Sequence, residues 1–265
     1  MSRGRSLNIG VCGMGRLGKL IDGIATERGH VISLRLDAES NANGAGLTRE
    51  ALSGVDAIID VSSAAAVETN VARAAAAGVN IVVGTTGWDR GALARERVEG
   101  IALEAGIGLL IAPNFALGAR LFARIVEAAA RICASQEELD LWIEEAHHRG
   151  KVDHPSGTAL ALARSVLAET PWKRTIVTEL PDGPVPPESL VVSSSRGGYE
   201  PGLHRLIIDL PEENIEIRHV ARSRRAFALG AVRAAEWIAG RQGVFTMDHV
   251  IGGAPDQDAP RGERA

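Results

Sequence analysis

The chain has 265 residues, a net charge of -4 and an apolar fraction of 45%, enough to bury the core of one large or two modest domains. No stretch nears the roughly 18 uninterrupted apolar residues of a membrane span, and the slight acidic balance leaves no footprint for nucleic acid, so neither partner is expected. Cys12 and Cys133, far apart and the only cysteines, exclude a disulfide framework and a thiolate cage and fit a reducing cytoplasm; no signal peptide or anchor is expected either.

Short apolar runs alternate with amphipathic ones over the first 115 residues, which predicts a βαβ series and a parallel sheet. Strands are expected at 7–12, 30–36, 56–61, 79–84 and 107–112, with helices at 16–28, 64–77 and 90–105. A long helix then runs to about 133. Beyond it the pattern changes to longer strands at 140–148, 190–196, 203–210 and 214–221, with a helix at 156–168. These suggest a mixed or antiparallel sheet. The proline-rich stretch 170–189 reads as a long excursion, a helix resumes at 227–241, and 256–265 reads as a disordered tail.

GMGRLG (13–18) is a G-x-G-x-x-G that directly follows a strand and opens a helix. Gly13 permits the tight turn, Gly15 lets the backbone approach a pyrophosphate, and Gly18 allows close packing of helix on strand. The intervening Met14, Arg16 and Leu17 belong to the same phosphate-binding turn. Asp37 closes the second strand where an acid accepts hydrogen bonds from a ribose 2′-hydroxyl, which favours NADH over NADPH; Arg35 and Arg16 lie near enough in sequence to offset that preference. Gly84, Thr85 and Thr86 follow the fourth strand, and Ala112, Pro113, Asn114 and Phe115 follow the fifth, at the sheet edge where such ligands bind.

The stretch 144–160, EEAHHRGKVDHPSGTAL, holds three of the seven histidines. Lysine occurs only at Lys19, Lys151 and Lys173, and a lysine kept among arginines points to a titratable amine. His147 and His148 alternate faces at a strand end, so a zinc site built from His147, His148, Asp153 and His154 is disfavoured and no metal is expected. Ser156 reads as a helix N-cap, and Ser156, Gly157 and Thr158 would offer hydroxyls and amides to an anion. A cation, an anion-binding helix end and imidazoles in one place suit a small dicarboxylate substrate that must also gain a proton.

The run EAHHRGKVDHPSGTAL (145–160) resembles the signature of the 4-hydroxy-tetrahydrodipicolinate reductase (dihydrodipicolinate reductase) family. The resemblance extends to GMGRLG, GTTGW (84–88), APNFALG (112–118), SSRGGYEPGLH (194–204) and 218–237. It implies a Rossmann-type doubly wound parallel sheet, 1–117 plus 227–255, with an inserted α+β substrate and oligomerisation domain, 118–226. That second domain would close over the nicotinamide and build a homotetramer through its sheet. The implied reaction is hydride transfer from NADH or NADPH to a cyclic imine in lysine and diaminopimelate biosynthesis. By the same resemblance His147 exchanges a proton, Lys151 is a second proton donor and carboxylate partner, and His148, Gly157 and Thr158 bind substrate carboxylates. Leu203 stands where the family usually has an acid, 60–70 lacks the usual aromatic-containing run, and His154 replaces an alanine. Arg196 and His204 are further candidates for holding the substrate loop. The alternatives are a related imine or amino-acid dehydrogenase and a non-catalytic nucleotide sensor.

Overall fold

The structure, a computed structural model, describes residues 5–91, 93–136 and 138–252; the tail expected at 256–265 lies outside them. Two compact units result, one from the chain through Leu117 together with the segment from Arg225 onward, the other from Gly118–Arg224.

In the first unit, β1 (Asn8–Cys12), β2 (Val31–Leu36), β3 (Ala57–Asp60), β4 (Asn80–Val83), β5 (Gly108–Ile111) and β11 (Gly243–Phe245) form one parallel sheet in the order β11-β5-β4-β3-β1-β2. Helices α1 (Arg16–Glu27), α2 (Val67–Ala77), α3 (Ala94–Glu104), α6 (Arg225–Ile238) and the short α7 (Met247–Val250) accompany it. β3, β4 and β5 are buried at every position, as strands covered on both faces must be. One apolar cluster joins α1 and α6 to the sheet and another joins α2 and α3. The C-terminal segment is tied in by polar contacts too. Glu236 on α6 accepts from both Arg28 and His30, and Asn80 donates to the carbonyls of Ile238 and Arg241.

In the second unit, β6 (Asp140–His147), β7 (Thr175–Val177), β8 (Ser189–Arg196), β9 (Leu203–Asp209) and β10 (Asn214–Val220) make a mixed sheet in the order β10-β9-β6-β8-β7. The pairs β6–β8 and β7–β8 are parallel, and β9 runs antiparallel to both its neighbours. Leu141, Ile143, Leu190, Val192, Leu206 and Ile208 meet the buried stripes of α4 (Leu117–Cys133) and α5 (Gly157–Glu169).

Three features differ from the sequence expectation. α3 begins at Ala94 instead of 90, behind a turn region containing Gly87 and Gly91. Two strands, Thr175–Val177 inside the excursion and Gly243–Phe245 beyond α6, were not expected. Each has three residues, too few for a period to show. The excursion itself is pinned from within. Lys173, 3% exposed, donates from Nζ to the Asp140 carboxylate and to the carbonyls of Pro187 and Ser189.

Candidate active site

In the first unit the chain leaves β1 for β2 on one side and returns to β3 on the other, so the strand order reverses at β1/β3. Ligands of such sheets bind in the crevice beyond the strand ends at this switch point. A cleft of about 530 Å³ lies there, lined by Gly13, Met14, Gly15, Asp37, Ser62 and Thr69 among others. Gly13 has φ +102, and a Cβ on it would come within 2.4 Å of the Val61 carbonyl oxygen. Gly18 is excluded from carrying a side chain for another reason, since its Cβ would lie 2.0 Å from the Gly13 oxygen where α1 packs on β1. A Cβ on Gly15 would meet nothing within 4 Å, and as N-cap of α1 the residue supplies no side-chain bond. The first-turn amides of α1 are therefore left without a capping side chain, as a pyrophosphate needs. Arg16 is exposed on that turn, with Leu17 half-buried beside it.

Asp37 accepts on Oδ1 from the Ser40 amide, the Ser40 hydroxyl and the Glu39 amide, which hold its carboxyl below the usual range. Its Oδ2 has no partner among the described residues. Arg35 is not available to offset this charge, because its Nε and Nη2 both donate to Asp22 on α1, at 2.7 and 2.8 Å.

A polar chain that the sequence reading did not isolate runs beneath the cleft. Asp60, fully buried, accepts from the Ser62 amide and hydroxyl, from Thr85 Oγ1 at 3.0 Å and from Asn70 Nδ2 at 2.8 Å. Asn70 in turn accepts from Asn41, and Asn41 from the Gly46 amide. The loop that follows Asp37 is thus anchored to the end of β3. Its only sequence signal was that two of these residues bracket the atypical 60–70 segment. Thr86 and Pro113 are exposed and Asn114 half-buried, Asn114 accepting from the Ala116 amide, while Ala112 is buried. Phe115 is a core residue: 2% exposed, its ring lies where a Gly84 side chain would be. It can reach a ligand only through its backbone.

The second unit concentrates its polar groups where the sheet's apolar face ends. Alternation puts Leu141, Ile143, Glu145 and His147 of β6 on one face, and the first three are buried. Strand register then places Glu145 opposite Ser194 on β8 and His204 on β9, and His204 opposite His219 on β10. His147 comes level with Arg196. Two apolar rows are succeeded by a titratable one.

Glu145 and His147 are joined by a 2.5 Å hydrogen bond between Oε2 and Nδ1. Glu145 Oε1 accepts from Arg196 Nη2 at 2.7 Å and from the Ser156 amide at 3.2 Å. Arg196 also donates to the Asp153 carbonyl, so it does hold the loop that carries Lys151. Ser156 caps α5 by accepting from the Ala159 amide, and its hydroxyl meets His204 Nε2 at 3.1 Å. The Ser156 amide and hydroxyl are both engaged within the protein, which leaves the turn of Gly157 and Thr158 beyond it, where Asp153 now sits. Lys151 Nζ donates to both oxygens of Asp153, whose carboxyl is held low by that ammonium and also receives a bond from the Gly157 amide. His148 Nδ1 accepts from the Gly150 amide within the same turn.

Burial, with the nearby His147 charge, pushes His204 down to about 4. The ring is neutral near pH 7, and its Nδ1 is buried without a partner. Glu145, His147 and His204 also bring three potential ligand atoms within 4.8 Å of one another. This is a different set from the His147, His148, Asp153 and His154 weighed in the sequence, and hydrogen bonds to His147 and Ser156 account for its contacts.

One unit with a doubly wound sheet and a glycine turn at its switch point, and a second unit rich in proton-exchanging groups, are the parts of a pyridine-nucleotide-dependent oxidoreductase. Residues 7–115 match the family profile "Dihydrodipicolinate reductase, N-terminus", and 118–251 match "Dihydrodipicolinate reductase, C-terminus". The chain belongs to the dihydrodipicolinate reductase family, whose members use NAD(P)H. It is 37% identical over 271 residues to the 4-hydroxy-tetrahydrodipicolinate reductase of Laribacter hongkongensis, covering 93% of this chain and 97% of that protein. To the same enzyme of Christiangramia forsetii it is 33% identical over 247 residues, covering 92% and 98%. In fold it is similar to a dipicolinate-bound dihydrodipicolinate reductase from Paenisporosarcina sp. TG-14, with a TM-score of 0.73 at 20% identity over 91% of this chain and 98% of that one.

Proposed function

We propose that this protein reduces 4-hydroxy-tetrahydrodipicolinate to tetrahydrodipicolinate in lysine and diaminopimelate biosynthesis, with NADH preferred over NADPH. The observation that carries the reading is the meeting of Lys151, His147 and the first turn of α5 at the polar end of one sheet. The first unit binds the dinucleotide. The α1 turn, Gly13 to Gly18, takes the pyrophosphate, Asp37 Oδ2 accepts from the ribose, and 84–86 with 112–115 line the nicotinamide end. When bound, the cofactor supplies a hydride to ring C4 of the cyclic imine left after the substrate loses water.

The second unit binds the substrate. Its carboxylates exchange for that of Asp153 on Lys151 and on the amides of Gly157 and Thr158, with His148 beside them. His147 gives a proton from Nε2 to the ring carbon next to the reduced one, and Lys151 serves as a second donor. The free thiols Cys12 and Cys133 support a cytoplasmic setting. The outermost strand β10, with Ile215 and Val220 exposed, supports assembly through this sheet into a homotetramer.

The test is NADH and NADPH oxidation, followed by nicotinamide absorbance, with the unstable substrate made in situ from pyruvate and aspartate semialdehyde by the preceding synthase. We expect oxidation that depends on the synthase and runs faster with NADH. NADH binding without such turnover would transfer the assignment to another imine substrate or to a sensor.

A further inference from the structure

Glu145 is enclosed by the second unit, its side chain 0% exposed. Burial alone would raise its carboxyl, yet bonds from Arg196, Ser194 and His147 outweigh burial and hold it below the usual range. An ionised carboxylate can only accept, so the nitrogen facing it at 2.5 Å, His147 Nδ1, must carry the hydrogen. Nε2 is then the open nitrogen. It lies at the Gly202 backbone, 3.1 Å from where a Cβ would sit, with no hydrogen-bond partner among the described residues. The other Glu145 oxygen meets Arg196, which grips the Asp153 carbonyl at 2.6 Å in the loop of Lys151.

We propose that Glu145 is the positioning residue of the proton-transfer step: it fixes His147 as the Nδ1–H tautomer with Nε2 free to exchange protons, and through Arg196 it sets the Lys151 loop. This rests on the assignment of His147 as the proton donor. The proton leaves from Nε2 to the substrate carbon, while the Nδ1 hydrogen stays with Glu145. A carboxylate at Nδ1 stabilises the imidazolium before transfer and prevents the ring from turning. The titratable and charged groups facing the ring are Glu145 on its own strand, Arg196 on β8 and His204 on β9.

The experiment compares wild type with Glu145→Gln and Arg196→Met. For Glu145→Gln we expect kcat to fall on the order of 10²-fold, with NADH affinity unchanged. For Arg196→Met, which keeps the carboxylate at the ring, we expect substrate KM to rise more than kcat falls. Nitrogen-15 NMR of the resting protein reads the tautomer with no substrate present. We expect Nδ1–H in wild type and in Arg196→Met, with an Nε2–H population appearing in Glu145→Gln. An Nε2–H tautomer in wild type, or a folded Glu145→Gln enzyme with unaltered kcat, overturns the proposal. Absence of turnover in wild type would sink the substrate assignment instead and leave the tautomer result to decide this one.

Discussion

The two sites are built from opposite materials. The cleft at the switch point is made of backbone: glycines that leave room, uncapped amides at the start of α1, and one exposed acid at the end of β2. The second site is made of buried side chains that hold one another, drawn from β6, β8, β9 and the start of α5. A flexible dinucleotide needs space and oriented amides, whereas proton transfer needs a few groups fixed in position and protonation state. The difference predicts what damages each site. A single added carbon should destroy the first, and a single lost charge the second.

Gly13→Ala should have the largest effect. Its Cβ would stand 2.4 Å from the Val61 carbonyl oxygen, at a φ of +102 that a side chain disfavours. Neither the turn nor the end of β3 can move without disturbing the parallel pairing of β1 with β3. We expect NADH binding, measured by fluorescence titration, to be lost. Binding within twofold of wild type would show that the turn is not the phosphate site.

The same contrast explains what was legible in the sequence. The parallel sheet, α1 and the glycine turn were readable because each requirement is local, a residue type at a fixed place beside a strand. α5 and its Ser156 cap were readable for the same reason. The row of Glu145, Ser194, His204 and His219 was not, since it exists only through strand register: Glu145 and Arg196 are 51 residues apart, Ser156 and His204 48. Asp60 and Asn70 lay in a segment marked only as unusual, and their bond shows in the fold alone. Phe115 was read correctly as lying in a strand-end loop, but nothing in its neighbours announced that the ring packs on Gly84.

The lysines sharpen this point. Scarcity singled out Lys151 and Lys173 equally, yet Lys173 is enclosed by one carboxylate and two carbonyls and closes the 170–189 excursion. Lys173→Met would take the donor from the Pro187 and Ser189 carbonyls, so we expect a stability loss of about 2–5 kcal/mol, at ~1–3 for each carbonyl, by urea denaturation, with kcat of the remaining folded enzyme unchanged. A fall in kcat without a fall in stability would instead place Lys173 in the chemistry.

A somewhat smaller effect is expected from acid, through a histidine of the second unit. His204 is held at about 4 by burial first and by the His147 charge next, against about 6.5 in an unfolded chain. Between those values the unfolded chain takes up a proton that the folded one refuses. Stability is therefore complete above pH 6.5 and declines as pH falls toward 4, by up to about 3 kcal/mol. His219, also lowered by burial, acts with the same sign. His204→Gln should flatten the pH dependence of unfolding across that window, and parallel curves for variant and wild type would refute the buried neutral imidazole.

Asp37→Ala should change least, because the cleft around it is open and its role is to select, not to hold. Asp37 Oδ1 is engaged by Ser40 and Glu39, so the variant loses that turn as well as the free Oδ2. A loosened turn would weaken NADH and NADPH alike, whereas removal of a ribose acceptor weakens NADH selectively and relieves repulsion of a 2′-phosphate. The ratio of the two kcat/KM values separates these causes, and Ser40→Ala provides the control that disturbs the turn alone. We expect the ratio to move several-fold toward NADPH in Asp37→Ala and to stay fixed in Ser40→Ala. Arg35 cannot complete the shift by capturing the phosphate while it remains paired with Asp22, so Asp37→Ala combined with Asp22→Asn should move the ratio further. Equal losses for both cofactors in Asp37→Ala would place the ribose elsewhere along the cleft.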